Sequence, residues 1–164
     1  MFDFDILLQQ ILNGLVLGSV YALIALGYTM VYGILQLINF AHGDVLMVGA
    51  LTAMTTINAV SSVAPDLPGP IKLVIGLLVA MPACMLLNVV IERVAYRPLR
   101  NAPRLAPLIT AIGISIMLQT LAMLIWGRNY HVFPATLPSD SIAIAGASIT
   151  PTQLMIILVS FALM

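Results

Sequence analysis

The most unusual polar residues of the sequence lie between two apolar segments, in the run Ile38-Asn39-Phe40-Ala41-His42-Gly43-Asp44. Ionisable groups at membrane depth are costly and tend to be functional. One interpretation is therefore a helix break that lines a translocation path. The alternative is a cytoplasmic loop in which Asn39 or Asp44 caps the next helix, and the spacing alone favours neither. A metal site is not expected, because His42 and Asp44 supply only two ligands and no third is nearby in the sequence.

Uncharged polar residues are also scattered through the apolar segments. Such residues can line a pathway, but hydrogen bonding between helices is their commoner role. They are Asn13, Ser19, Tyr21, Thr29, Asn88, Thr110, Ser115, Gln119 and Thr120.

No catalytic motif accompanies these residues. The single lysine, Lys72, follows Ile71, so the sequence holds no phosphate-binding G-x-x-x-x-G-K-[ST] loop. It also contains neither H-E-x-x-H nor G-x-S-x-G. We therefore expect a protein that is not itself an enzyme, with no cofactor in this chain.

Small residues recur every four positions at Gly14, Gly18 and Ala22, on one face of a helix. This spacing permits close helix approach in membranes and predicts a packing seam in a multi-helix bundle. Chance is the alternative, because small residues are common in membrane helices. Pro82 lies inside a later apolar block and should kink its helix.

Composition identifies the solvent of the chain. Of the 164 residues, 62% are hydrophobic and 7% are charged, with a mean hydropathy of +1.12. Soluble domains carry about 25% charged residues, so most of this chain must face lipid. The net charge of zero gives no footprint for nucleic acid. The acidic start MFDFD is unlike a secretory signal, and the lone Cys84 is interpreted as a buried structural residue.

The apolar blocks predict an all-α, polytopic transmembrane bundle with about five spans, one of them short or re-entrant near residues 31–44. A bilayer core of about 30 Å needs about 20 helical residues. The uncharged block from Ile6 to Gly43 is too long for one span and barely enough for two. We expect a first helix from Ile6 to Tyr28, followed by a short helical or re-entrant piece over residues 31–40. Three further uncharged blocks, over 45–65, 73–91 and 105–127, suit one span each.

The last apolar block begins with Thr150, Pro151, Thr152 and Gln153. These residues predict a capping box, with Thr150 as the cap, Pro151 at the first helical position and Gln153 completing the box. The helix from there to Met164 is too short to cross a bilayer. We therefore expect residues 1–164 to be the N-terminal part of a single transmembrane domain whose C-terminal half is missing.

A cluster of arginines predicts the orientation of the bundle. The positive-inside rule places the loop that carries these arginines in the cytoplasm, and residues 61–70 and 128–149 then face outward. Nothing in the second of these outer segments resembles a folded domain. Together with Glu92 the arginines could instead dock a cytoplasmic partner, but a role in fixing topology is simpler. The cluster consists of Arg93, Arg97, Arg100 and Arg104.

Several stretches resemble the branched-chain amino-acid permeases of ABC transporters, and most of all their H-type subunits. The resemblance covers nearly the whole chain, and its most specific part is the run from Ile38 to Asp44. It rests on Asn13-Gly14-Leu15-Val16-Leu17-Gly18-Ser19-Val20-Tyr21-Ala22-Leu23, Ala25-Leu26-Gly27, the run from Ile38 to Asp44, Met47, Gly49-Ala50, Glu92-Arg93, Arg97-Pro98-Leu99-Arg100 and Thr110-Ala111-Ile112-Gly113.

The resemblance implies a multi-pass subunit of the bacterial inner membrane that translocates leucine, isoleucine and valine. It implies a second homologous permease, two cytoplasmic ATPase subunits that consume ATP, and a periplasmic amino-acid-binding protein. Asn13, Tyr21, Asn39 and His42 are the candidates for lining the substrate path. Three alternatives stay open: a permease of the same family that moves urea, short amides or other amino acids, an ATP-independent channel or carrier, and a structural or assembly subunit with no path of its own.

Overall fold

The computed structural model describes residues 4–35, 39–99, 101–103, 105–134, 142–144 and 147–164. The described chain is mainly helical, which confirms the predicted all-α class. Its elements are α1 (Phe4–Leu35), α2 (His42–Val63), α3 (Gly69–Ile91), a π-helical turn (Glu92–Tyr96), a 3-10 turn (Arg97–Leu99), α4 (Leu105–Trp126), β1 (Ile142–Ile144), β2 (Ala147–Ile149) and α5 (Pro151–Leu163).

Among the described residues, four helical segments are long enough and apolar enough to cross a membrane. An α-helix satisfies its own backbone hydrogen bonds, so uncharged blocks of this length can cross lipid. The fifth helix, α5, is apolar but has only 13 residues. The four long segments are Ile6–Gly33, His42–Val63, Gly69–Leu99 and Leu105–Trp126.

The predicted end of the first helix at Tyr28 is wrong, because α1 continues without interruption to Leu35. No proline or charge lies between these residues, so nothing in the sequence stops the helix there. The separate segment predicted over 31–40 is likewise not found. Residues 31–35 belong to α1, residues 36–38 lie outside the described part, and residues 39–41 form a turn before α2.

The helix ends follow local sequence signals only in part. Thr150 accepts from Gln153 N at 3.3 Å and Gln153 Oε1 accepts from Thr150 N at 3.0 Å, so the predicted capping box is confirmed. By contrast, α2 begins after Ala41 with no side-chain cap, so neither Asn39 nor Asp44 occupies the cap position. Helix α3 continues through Pro82.

The chain divides into two compact units, one formed by residues 1–34 and 137–164 and the other by residues 35–136. In the first unit, β1 and β2 pair as an antiparallel hairpin with Ala143 opposite Ser148. Gln9 on α1 holds this hairpin, since its Nε2 donates to Ser148 O at 3.2 Å and its Oε1 accepts from Ser148 N at 2.8 Å. The sequence did not predict this hairpin.

In the second unit, α2 and α3 form an antiparallel helical hairpin against which part of α4 packs. A buried apolar cluster lies where the three helices meet. It comprises Ala41, Val45, Ile91, Ile114 and Leu118. Most of the large apolar side chains outside this cluster are exposed, which is expected for helices surrounded by lipid or by other helices.

Candidate functional site

The turn before α2 is held by the side chain of Asn39. Asn39 Oδ1 accepts from the backbone N–H of Ala41 at 3.1 Å and from the Tyr96 hydroxyl at 2.9 Å. The Asn39 carbonyl accepts from His42 N at 3.1 Å. Asn39 therefore closes its own turn and ties it to the helical turn that follows α3.

The π-helical turn positions the Tyr96 partner. It covers Glu92–Tyr96, and the N–H of Arg97 donates to Glu92 O across it. Single π turns inside helices often occur at functional sites. Here the turn follows Ile91 directly and brings a hydroxyl donor to the side chain of Asn39.

Asp44 is the buried carboxylate of this site, with 8% of its surface exposed. Its Oδ1 accepts from Gln119 Nε2 at 2.9 Å, and the same Nε2 reaches Ser115 Oγ at 3.3 Å. A carboxylate only accepts hydrogen bonds, so the amide nitrogen of Gln119 must face it. In the part of the chain that the structure describes, Asp44 is thus met by a neutral amide rather than by a lysine or arginine.

The contact with Gln119 locates the turn along α4. Gln119 follows Leu105 by 14 residues and precedes Trp126 by seven. At ~1.5 Å per residue, Gln119 is about 21 Å from the first end of α4 and about 10 Å from the other. Asp44 therefore lies beside an interior position of α4, a helix that is long and apolar enough to cross a membrane. Asn39 in the same turn bonds to Tyr96, next to Arg97 of the cluster predicted to be cytoplasmic, so a helix break and a cytoplasmic loop both stay predictions.

The apolar residues beneath the turn keep it in place. Ala41 is fully buried, and Val45 is 7% exposed. They pack with Ile91 of α3 and with Ile114 and Leu118 of α4. These contacts pack one side of the turn against α3 and α4.

Close packing of α2 on α3 depends on small residues to which the sequence analysis assigned no packing role. A Cβ added to Gly49 would lie 2.7 Å from Cys84 Sγ. A Cβ added to Gly76 would lie 2.9 Å from Ile57 Cγ1 and 3.2 Å from the carbonyl oxygen of Ala53. The fourfold spacing of Gly76, Ala80 and Cys84 was the signal that could have identified this interface.

Cys84 is part of this packing, as expected for a structural thiol. It is half-buried, and its Sγ lies 3.7 Å from the Val45 carbonyl oxygen, as a weak donor would. The thiol therefore fills the space left open by Gly49.

The predicted seam on α1 borders a groove within the first unit. A Cβ added to Gly14 or Gly18 would meet nothing within 4 Å. These residues and Ala22 line a groove of about 240 Å³ together with Ser160 and Phe161 of α5. The Ser160 hydroxyl is buried and has no hydrogen-bond partner within the described residues. Tight packing on this face stays a prediction.

The remaining predicted site residues are placed as follows. Asn13 on α1 accepts from Gln9 Nε2 at 3.2 Å, and Tyr21 is 64% exposed. His42 is half-buried in the first turn of α2. Of the arginine cluster, Arg93 and Arg97 are exposed, in the π-helical and 3-10 turns. Arg100 and Arg104 lie outside the described residues.

Comparison with protein families decides the relationship. The family model for the permease component of branched-chain amino-acid transport systems matches residues 10–164. The chain belongs to this permease family. The polar turn and its partners therefore lie within a domain of known type.

Two relatives of this permease-family chain are similar along nearly its whole length. The high-affinity branched-chain amino acid transport system permease protein BraD of Pseudomonas aeruginosa is 42% identical over 96% of this chain and 52% of its own length. The corresponding protein LivH of Escherichia coli K12 is 43% identical over 94% of this chain and 51% of its own length. The chain thus spans about half the length of the curated relatives it matches. No solved structure matches it significantly.

Proposed function

We propose that this chain supplies part of a permease subunit that imports branched-chain amino acids across the bacterial inner membrane. The observation that carries the proposal is the identity of 42–43% to permeases named for this transport, over 94–96% of the chain. The four long apolar helices support placement in a membrane. The preferred substrates are leucine, isoleucine and valine.

The proposed subunit works in an ABC importer with several partners. These are a second homologous permease, two cytoplasmic ATPase subunits and a periplasmic binding protein that delivers the amino acid. The sequence has no phosphate-binding loop, which supports a permease whose energy comes from ATP bound by its partners. The permease itself would catalyse no reaction.

The proposed mechanism is alternating access. Docking of the binding protein and binding of ATP would favour different arrangements of the helices, and a ligand can shift such an equilibrium only by its differential affinity. The path must accept an apolar side chain while solvating an ammonium and a carboxylate group. Asn13, Tyr21, Asn39 and His42 are proposed to line it. The Asn39 side chain also supports the turn, so its replacement would alter both roles.

The deciding experiment uses the full-length gene with its companion subunits, in cells that lack their own system. Uptake of radiolabelled leucine is followed with and without substitution of the phosphate-loop lysine in the partner ATPase. Uptake that disappears with this substitution supports the proposed importer. Uptake that survives it indicates an ATP-independent carrier, and absence of leucine uptake together with urea or amide uptake indicates a different cargo.

The proposed path residues are tested in the same cells by single replacement with alanine. Reduced uptake with normal membrane levels of the complex is expected for a residue that lines the path. A normal uptake rate would remove that residue from the proposal. Ser62, an exposed residue near the end of α2, provides a control replacement that should leave uptake unchanged.

A further inference from the structure

Asp44 is a buried acidic residue that no lysine or arginine contacts within the described part of the chain. The residue is 8% exposed, and the hydrogen bond to its Oδ1 comes from the neutral amide of Gln119. Charged side chains inside membrane segments normally pair with one another, with backbone groups or with a ligand. The helix macrodipole at the start of α2 favours a carboxylate there, but it amounts to roughly half a unit charge.

The oxygen atoms around this charge keep unused acceptor capacity. Within the described residues, Asp44 Oδ2 accepts no hydrogen bond, and neither does Gln119 Oε1. Ser115 Oγ, already bonded to Gln119 Nε2, has a second lone pair. A primary ammonium has three N–H donors and no acceptor. With one hydroxyl donor and several acceptors, the set suits a primary ammonium better than a carboxylate.

Two of the three groups are open to the surface of the unit. Gln119 is exposed and Ser115 is half-buried, on the α4 face beside Asp44. An amide exposed in the interior of an apolar span is unfavourable against lipid. We expect this face to border water or another part of the permease rather than acyl chains.

We propose that Asp44, together with Gln119 and Ser115, binds the ammonium group of the amino acid during its passage. The inference rests on the proposed function and extends it with residues outside the predicted path set. Asp44 supplies the countercharge, and Gln119 orients the carboxylate. Val45 and Leu118, which are adjacent in sequence to these two residues, belong to the buried apolar cluster.

The test uses the full-length permease with its ATPase and binding protein in proteoliposomes. The readout is leucine transported per ATP hydrolysed. Asp44→Asn keeps an acceptor for Gln119 and removes the charge. Because hydrogen bonds to charged groups are stronger than neutral ones, we expect the ratio to fall by about tenfold or more. Asp66→Asn, the same replacement in the exposed loop after α2, should leave the ratio unchanged.

Two outcomes would overturn the ammonium site. One is an Asp44→Asn complex that transports leucine at the wild-type ratio. The other is a complex in which transport and binding-protein-stimulated ATP hydrolysis fall together with the ratio preserved, because that result indicates a structural role. A third outcome concerns sodium. If replacing sodium with choline abolishes transport by the wild type but not by Asp44→Asn, Asp44 binds an inorganic cation instead, which would also overturn the proposal.

A second variant covers the case in which Asp44→Asn does not assemble. Ser115→Ala removes one proposed acceptor and leaves the bond between Gln119 and Asp44 intact. A lowered transport ratio in this variant supports the site, and a wild-type ratio overturns it. Failure of the wild-type complex to transport leucine would instead refute the proposed function.

Discussion

The side-chain amide of Gln119 donates a 2.9 Å hydrogen bond to the carboxylate of Asp44, which joins the first turn of α2 to the interior of α4. We expect Gln119→Ala to leave the buried carboxylate without its donor. The free energy of unfolding should fall by about 1–3 kcal/mol. Thermal unfolding of the full-length permease complex in detergent measures this change.

A neighbouring position provides the control for Gln119. Thr120 is exposed on the same helix, and its hydroxyl bonds only to the carbonyl of Ile116 at 2.8 Å in the described structure. Thr120→Ala should therefore change stability by less than about 0.5 kcal/mol. Equal losses for the two variants would show that the contact with Asp44 contributes nothing specific.

The hydroxyl of Tyr96 should stabilise the turn before α2 through Asn39. Tyr96→Phe removes a 2.9 Å hydrogen bond while keeping the ring, so we expect a loss of about 0.5–1.5 kcal/mol. Combining it with Asn39→Ala should cost less than the sum of the single changes, because both remove the same bond. Additive losses of stability in thermal unfolding would argue against the bond between Tyr96 and Asn39. Tyr130→Phe is the control, because Tyr130 is 92% exposed.

Close packing between α2 and α3 should be sensitive to a single methyl group. Gly49→Ala places a Cβ 2.7 Å from Cys84 Sγ, and overpacking of this kind costs about 1–3 kcal/mol. Adding Cys84→Ala should recover much of the loss because it removes the opposing sulfur atom. Thermal unfolding of the single and double variants measures both effects.

Gly113 supplies the matched control for Gly49. A Cβ at Gly113 would meet nothing within 4 Å, and alanine is the better helix former by about 1 kcal/mol. Gly113→Ala should therefore be neutral or stabilising. A destabilised Gly113→Ala variant would indicate that backbone freedom, rather than packing, explains the effect at Gly49.

The seam predicted on α1 is tested by filling it. A Cβ at Gly18 meets nothing within 4 Å, and the groove beside it has a volume of about 240 Å³, so Gly18→Ile should be tolerated by its own unit. If the seam receives another helix of the permease, the variant should retain less companion permease on affinity purification. Gly113→Ile is the control, and equal recovery of the partner with both variants would contradict the seam.

The sequence predicted those parts of the fold that depend on composition and on local hydrogen bonding. Uncharged blocks identified the spans after residue 42, and the residues from Thr150 to Gln153 identified the start of α5. The predicted helix end at Tyr28 was wrong because it was based on bilayer thickness, whereas no residue there interrupts the helix. Helix α1 has 32 residues, so its length exceeds the hydrocarbon core.

The candidate site was predicted only in part, since its key contacts join distant positions. The sequence singled out Asn39, His42 and Asp44. Their spacing could not show that Tyr96 bonds to Asn39 or that Gln119 of α4 bonds to Asp44. Gln119 was recognised only as one of several polar residues in apolar segments. Pairings of this kind depend on helix packing, which composition and periodicity do not specify.

The π turn from Glu92 to Tyr96 also bears on how related chains can differ in length. A π turn holds one residue more than an α turn, so it offers a place where one residue can be deleted while the flanking helix keeps its direction. A homologue shorter by one residue here would continue as regular α-helix, and its donor to position 39 would have to come from another helical position. Single-residue gaps at this turn should therefore coincide with replacement of Asn39.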